Sequence, residues 1–281
     1  MCLDYLVSGG AGSGASIVAK ILAITNQKGG VGKTTTSVNL AASLVAAKRR
    51  VLLVDLDPQG NATMGSGVEK HSLQYTIYHI LLGNQGITNV RTAATCGKYD
   101  LLPANRDLAG AEVEMVDLLQ RETRLKAALQ EVENEYDFIL IDCPPALNLL
   151  TLNGLCAAHA VMIPMQCEYY ALEGLSDLVN TIKKVRANFN PVLEIEGLLR
   201  TMFDPRSMLS QQVSQQLQQH FGEKVYRTVI PRNVRLAEAP SFGMPVLFHD
   251  KLSKGTQAYL ALAGEILKKY PTAVAQNGEQ G

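Results

Sequence analysis

A short apolar run, Ile21-Leu22-Ala23-Ile24-Thr25, leads directly into Lys28-Gly29-Gly30-Val31-Gly32-Lys33-Thr34-Thr35, and a helical pattern of small and apolar residues follows. Strand, glycine-rich turn and helix in that order constrain the fold more than any other feature. A strand without polar alternation is one covered on both faces, as in a parallel sheet. The glycines let backbone N–H groups converge on phosphate oxygens, and the helix N-terminus adds positive potential. In this setting Lys33 is placed to neutralise β- and γ-phosphates and the Thr34 hydroxyl to coordinate Mg²⁺. The run departs from GxxxxGK[ST] at its first position, where Gln27 replaces glycine, and it adds Lys28. A second lysine near a triphosphate suits charge neutralisation during transfer. Spacing alone leaves open whether it serves its own nucleotide or one across a dimer.

Comparable apolar runs recur at Val51–Asp55, Phe138–Asp142 and Ala160–Pro164, with further candidate strands at 195–200 and 225–230. Helical patterns fall at 34–47, in a broken region at 73–82, and at 109–135, 172–187, 208–221 and 256–270. The 109–135 pattern reads as two helices broken near Gln120–Thr123 and forming a solvated outer face. This alternation predicts an α/β fold of the P-loop NTPase type: a mostly parallel central β-sheet with helices on both faces, in three α/β/α layers. No linker or internal repeat divides it. The expected organisation is a flexible N-terminal extension at 1–19, a single ATPase domain at 20–270 and a polar, disordered tail at 271–281. Gly9-Gly10-Ala11-Gly12-Ser13-Gly14 imitates a dinucleotide fingerprint, but too few residues separate it from the next strand for the required helix.

Basic and acidic side chains number 26 each, so bulk positive charge cannot drive nucleic-acid binding. The charge is segregated, however. Residues 103–148 carry four basic side chains (Arg106, Arg121, Arg124, Lys126) against ten acidic, whereas residues 200–281 carry ten basic against six. No apolar run reaches membrane-spanning length. The five cysteines form no CxxC pair and read as free thiols in a reducing cytoplasm.

Two further carboxylate sites end strands. Asp55-Leu56-Asp57-Pro58-Gln59-Gly60-Asn61 closes the second run, and Asp142-Cys143-Pro144-Pro145 closes the run through Ile141. An aspartate at the carboxyl end of a buried parallel strand, beside a phosphate loop, is suited to holding Mg²⁺ or its waters.

Five blocks in order, KGGVGKTTT, LLVDLDPQGNAT, IDCPPALNLLT, IPMQCEYYALEGL and VIPRNVRLAEAPSFGMPV, resemble the ParA/Soj chromosome-partitioning ATPases of the deviant-Walker MinD/ParA superfamily. The resemblance runs from about Ala19 to Tyr270. It implies a Mg²⁺-dependent ATP hydrolase that cycles between ATP and ADP, with residues 28–35 cradling the phosphates. Lys28 would be the signature lysine that crosses a nucleotide-sandwich homodimer, Lys33 the loop lysine and Thr34 the Mg²⁺ ligand. Asp57 would position the attacking water, Asn61 would order that region, and Asp142 would act on Mg²⁺ through water. Pro231, Arg232 and Asn233 match the segment that lines the adenine pocket.

The same resemblance implies ATP-dependent, nonspecific binding of double-stranded DNA, with Arg206 and Arg235 as the matching arginines. It also implies release through a ParB/Spo0J-type centromere-binding partner, a bacterial cytoplasmic, nucleoid-associated location, and a link to replication initiation. Rival readings use the same core. A MinD-like septum-site protein would need a membrane-binding amphipathic tail, and residues 271–281 have no apolar face for one; another cargo-positioning ATPase is the remaining alternative. A nitrogenase-type iron protein would need cluster-bridging cysteines, and a non-hydrolysing scaffold would not need the full carboxylate set.

Overall fold

The computed structural model describes residues 18–271. The glycine-rich stretch at 9–14 and almost all of the expected extension and tail lie outside that range. Among the described residues, eight strands form one sheet: β1 (Lys20–Ile24), β2 (Val51–Asp55), β3 (Thr92–Ala93), β4 (Asp100–Leu102), β5 (Phe138–Asp142), β6 (Ala160–Gln166), β7 (Glu194–Phe203) and β8 (Val225–Pro231). Their order is β3-β4-β2-β5-β1-β6-β7-β8. All pairings are parallel except the β3–β4 edge. The predicted three-layer α/β/α fold is therefore present.

The central strands show why their runs lack alternation. Leu22, Leu53 and Leu140 join one apolar cluster, while Ala23, Leu52 and Ile139 join the other on the opposite face of the sheet. Helices Lys33–Ala46 and Lys254–Lys269 cover the first face. Helices Ile77–Leu82, Leu108–Glu114, Arg124–Leu129, Leu149–Ala157, Ala171–Asn188 and Met208–Phe221 contribute to the second. Each face thus removes apolar surface from water at about 25 cal/mol per Å².

Several details differ from the sequence expectations. Ala19, assigned to the flexible extension, is buried, and its amide donates to the Glu133 carbonyl at 3.2 Å. The 109–135 pattern does break at Gln120, whose φ of 54° is left-handed. It is not merely a solvated face, because Ala111, Met115, Leu125 and Leu129 are buried in the core. The region at 73–82 yields only the Ile77–Leu82 helix, at whose start the Thr76 amide donates to His79 Nδ1 at 3.2 Å. Strands β3 and β4, of two and three residues, are too short to show a period.

All parallel strands point their carboxyl ends to one edge of the sheet. The loops after β1, β2, β5, β6, β7 and β8 converge there, and those loops carry the candidate functional residues.

Candidate active site

The loop after β1 is built by glycines that take conformations other residues avoid. Gly30 and Gly32 have φ values of 73° and 87°, in the left-handed region that costs an L side chain about 1–2 kcal/mol. Gly32 is also the N-cap of the Lys33–Ala46 helix, with its carbonyl accepting from the Thr36 amide at 2.9 Å. The loop closes on itself where Lys33 Nζ donates to the Lys28 carbonyl at 3.1 Å. Lys33 is only 7% exposed. Burial lowers its pKa despite the opposing pull of Asp142 and Asp57. An anion seated on the loop would supply the charge partner that its ammonium lacks.

Asp142, at the end of β5, is fully buried beneath this loop. Its two oxygens accept from Thr34 Oγ1 and Ser37 Oγ, each at 2.8 Å. Its register partner on β2 is Asp55, also fully buried. Burial, reinforced by the neighbouring charge of Asp55, pushes the Asp142 carboxyl up to about 8. Burial pushes Asp55 up to about 6, against hydrogen bonds that favour its charged form. Those bonds come from the Thr63 amide at 2.8 Å, Thr63 Oγ1 at 2.7 Å and the Asp57 amide at 3.1 Å. Asp55 thus anchors both ends of the turn that carries Asp57.

Asp57 is half-buried on that turn, with Oδ1 accepting from the Gln59 amide at 2.9 Å. Gly60, at φ 63°, ends the turn and caps helix Asn61–Gly65. A Cβ at Gly60 would stand 2.7 Å from the Ala104 carbonyl. Asn61 is exposed at the helix start, beside the turn that Asp55, Gly60 and Thr63 hold together. Ser37 and Thr63 were not singled out in the sequence. Ser37 carried a usable signal, since i, i+3 spacing from Thr34 puts it on the same helix face.

Gln27, Lys28, Gly29 and Gly30 are exposed, whereas Val31 is buried. Lys28 Nζ forms an ion pair with Glu168, just past the end of β6. The Lys28 amide donates to Asn26 Oδ1 at 3.0 Å. Thr35 continues the loop into the helix, where its carbonyl accepts from Asn39 Nδ2 at 2.7 Å.

Pro231 ends β8 in register with Phe203 of β7, and so lies at the same sheet edge as the phosphate loop, toward β8. Arg232 is exposed, and Asn233 caps helix Val234–Glu238 by accepting from the Leu236 amide at 3.2 Å. Arg206 and Arg235 both face solvent, and both are already paired. Arg206 grips Asp204 through two bonds of 3.0 Å. Arg235 contacts Glu238 at 2.8 Å and Asp250 at 3.4 Å.

The arrangement fits Mg²⁺ bound with a nucleotide. A hydroxyl and a buried carboxylate lie together beside an anion-binding loop, and the raised pKa marks a carboxylate short of positive charge. No cluster of three His, Cys, Asp or Glu side chains suited to a metal occurs among the described residues.

Residues 19–195 match the family described as AAA domain. The chain is 54% identical over 249 residues to the sporulation initiation inhibitor protein Soj of Bacillus subtilis, covering 89% of this chain and 98% of that protein. It is 51% identical over 256 residues to the chromosome partitioning protein ParA of Myxococcus xanthus, covering 91% and 90%. Among solved structures, cobyrinic acid a,c-diamide synthase from Mycobacterium smegmatis with a bound ATP analogue and magnesium is similar. Its TM-score is 0.80 at 38% identity, with 91% of this chain and 97% of that one covered.

Proposed function

The chain belongs to the ParA/Soj family of chromosome-partitioning P-loop ATPases, and we propose that its site couples ATP binding to dimerisation and DNA binding, and hydrolysis to release. It is an ATP- and Mg²⁺-dependent ATPase. The observation that carries the site reading is the 2.8 Å bond joining Thr34 to Asp142 beneath a glycine loop that also presents Lys33.

In this reading the loop amides and Lys33 hold the β- and γ-phosphates, and burial of Lys33 strengthens its interaction with them. Bound Mg²⁺ supplies neutralising charge to the phosphates. Thr34 and Asp142 would hold that cation, Asp142 through water. Asp57 orients the attacking water, which displaces ADP from the γ-phosphoryl group with no covalent enzyme intermediate, so catalysis rests on positioning and charge. Lys28 exchanges Glu168 for phosphate oxygens across a homodimer. Pro231, Arg232 and Asn233 border the base.

The basic C-terminal third supplies sequence-independent phosphate contacts, Arg206 and Arg235 among them, doubled by dimerisation. A ParB/Spo0J-type protein is the partner that stimulates hydrolysis, the nucleoid is the site of action, and replication initiation is a further point of contact. No described helix is long and apolar enough to cross a membrane. Co-sedimentation with DNA in ATP, ADP and no nucleotide tests the reading. Retention in ATP alone is expected, and equal retention in all three would reject coupling.

A further inference from the structure

The loop's peptide orientation is set from outside the loop. Thr201, 2% exposed on β7, donates its hydroxyl to the Val31 carbonyl at 2.7 Å, across 170 residues of sequence. Because a trans peptide is planar, the carbonyl of Val31 and the N–H of Gly32 point in opposite directions. Fixing the carbonyl toward β7 therefore turns the Gly32 N–H the other way, away from β7. The opposite orientation of that peptide would aim a carbonyl oxygen at phosphate. Gly32 makes such a rotation sterically open, since glycine moves between positive and negative φ without a Cβ penalty.

The backbone of β7 supports this contact. Met202 has a φ of 48°, left-handed and strained for a non-glycine residue, and the β7–β8 register is irregular between Arg200 and Phe203. The side chain of Met202 donates no bond but receives one: Gln166 Nε2 lies 2.7 Å from its sulfur. A Cβ built on Gly32 would lie 3.7 Å from Thr201 Cγ2 and 4.0 Å from Met202 Cε. Thr201 thus holds Val31 by a hydrogen bond, and Thr201 and Met202 both stand beside the adjacent Gly32.

We propose that Thr201 is a positioning residue for nucleotide binding, whose hydroxyl holds the Val31–Gly32 peptide so that the Gly32 amide faces the β-phosphate. The proposal rests on the reading that this loop holds nucleotide phosphates. Without the hydroxyl, the Val31 carbonyl loses its partner in a buried place, and the peptide can turn to find another. The loop then binds phosphate with one amide fewer, or only after turning back.

The test is Mg²⁺-dependent ADP and ATP binding by calorimetry, with steady-state ATP hydrolysis, on the parent and on Thr201→Val, Thr201→Ala and Thr201→Ser. Valine keeps the shape and removes the hydroxyl; alanine is the second variant should valine not fold. About tenfold weaker binding of both nucleotides is expected for Val and Ala, with serine within about threefold of the parent. KM for ATP should rise by a larger factor than kcat falls. A role in folding alone would lower Tm and leave the affinity of the folded protein unchanged. Parental affinity in folded Val or Ala variants would overturn the proposal, as would a Ser variant as weak as Ala. Absence of ADP binding by the parent would instead reject the phosphate-site reading itself.

Discussion

Thr34 and Asp142 meet at 2.8 Å although 108 residues separate them, because the loop after β1 lies over the end of the neighbouring strand β5. The bond joins the hydroxyl at the helix start to a carboxylate with no lysine or arginine among its hydrogen-bond partners. Burial and the adjacent Asp55 push that carboxylate up to about 8. A buried carboxylate without positive charge beside it costs stability, and a bound cation would relieve that cost.

That cost has a definite sign. A carboxyl whose folded pKa exceeds its unfolded value contributes most below the unfolded value, and the contribution is lost as pH rises through the folded one. For Asp142 the window runs from about 4 to about 8. The nucleotide-free protein should be less stable at pH 8.5 than at pH 6.5. Asp142→Asn should flatten this dependence and raise Tm at pH 8.5 by on the order of 5 °C, given roughly 2–4 °C per kcal/mol for a domain of this size. The same variant should lose Mg²⁺-dependent nucleotide binding. Thermal scans across pH decide it, and an unchanged slope in the variant would acquit Asp142.

Lys33→Ala should weaken ATP binding by about 100-fold or more, because removing one partner of a desolvated charge pair costs about 3–5 kcal/mol. Calorimetric titration measures this directly. Affinity near the parent's would withdraw Lys33 from the phosphate site.

Asp57→Ala should separate binding from turnover. Its turn is held by Asp55, Gly60 and Thr63, so the loop persists without the carboxylate. Phosphate release should fall by about 100-fold, the usual scale for a positioned acid–base or water-orienting group. ATP binding should persist and the ATP-bound, DNA-bound form should accumulate. Release at the parent rate would refute the role.

Lys28→Ala should leave the monomer folded, since its pair with Glu168 is half-exposed on both sides and such pairs contribute about 0–1 kcal/mol. ATP-dependent dimerisation should fail. Light scattering in ATP that shows an undiminished dimer would end the cross-subunit assignment.

How far these residues could be read in advance depended on how local their signals are. The phosphate loop was legible because strand, glycines, lysine and threonine are contiguous. Strands β2 and β5 were legible because burial on both faces leaves an unbroken apolar run. Glu168 and Thr201 were not, because each acts on a partner distant in sequence, whereas Ser37 offered only its helix-face spacing from Thr34 and Thr63 only its nearness to Asp55. Thr201 touches Val31 only because β6 lies between β1 and β7 and the strand ends converge. Helix Leu149–Ala157 escaped for another reason: seven of its nine residues are buried, so it shows no polar stripe from which a period could be recognised. Its Asn148 cap, which accepts from the Thr151 amide at 3.0 Å, was the available sign.

The proposed DNA role of Arg235 has to reckon with its carboxylate partners. Its guanidinium contacts Glu238 at 2.8 Å and Asp250 at 3.4 Å on an exposed surface. If Arg235 is a DNA contact, a phosphate must take the place of a carboxylate, and the gain is the difference between the two partners. Log affinity falls with log salt by about 0.9 per phosphate neutralised. Arg235→Ala, changed in both subunits of the dimer, should reduce that slope by roughly 2 and weaken binding to unrelated DNA sequences alike. Arg235→Lys should retain more affinity than Ala, because phosphate contact needs charge more than guanidinium geometry. Glu238→Gln should act oppositely, since it removes the competing carboxylate and frees the arginine. The alternative is that Arg235 braces the 231–240 segment beside the nucleotide through Glu238 and Asp250. In that case Glu238→Gln and Arg235→Ala would both lower ATP affinity and dimer mass, with DNA binding lost as a consequence. Measuring ATP binding, dimer mass and DNA affinity at several salt concentrations on these variants separates the two. An intact dimer with an unchanged salt slope in Arg235→Ala would remove this arginine from the DNA surface.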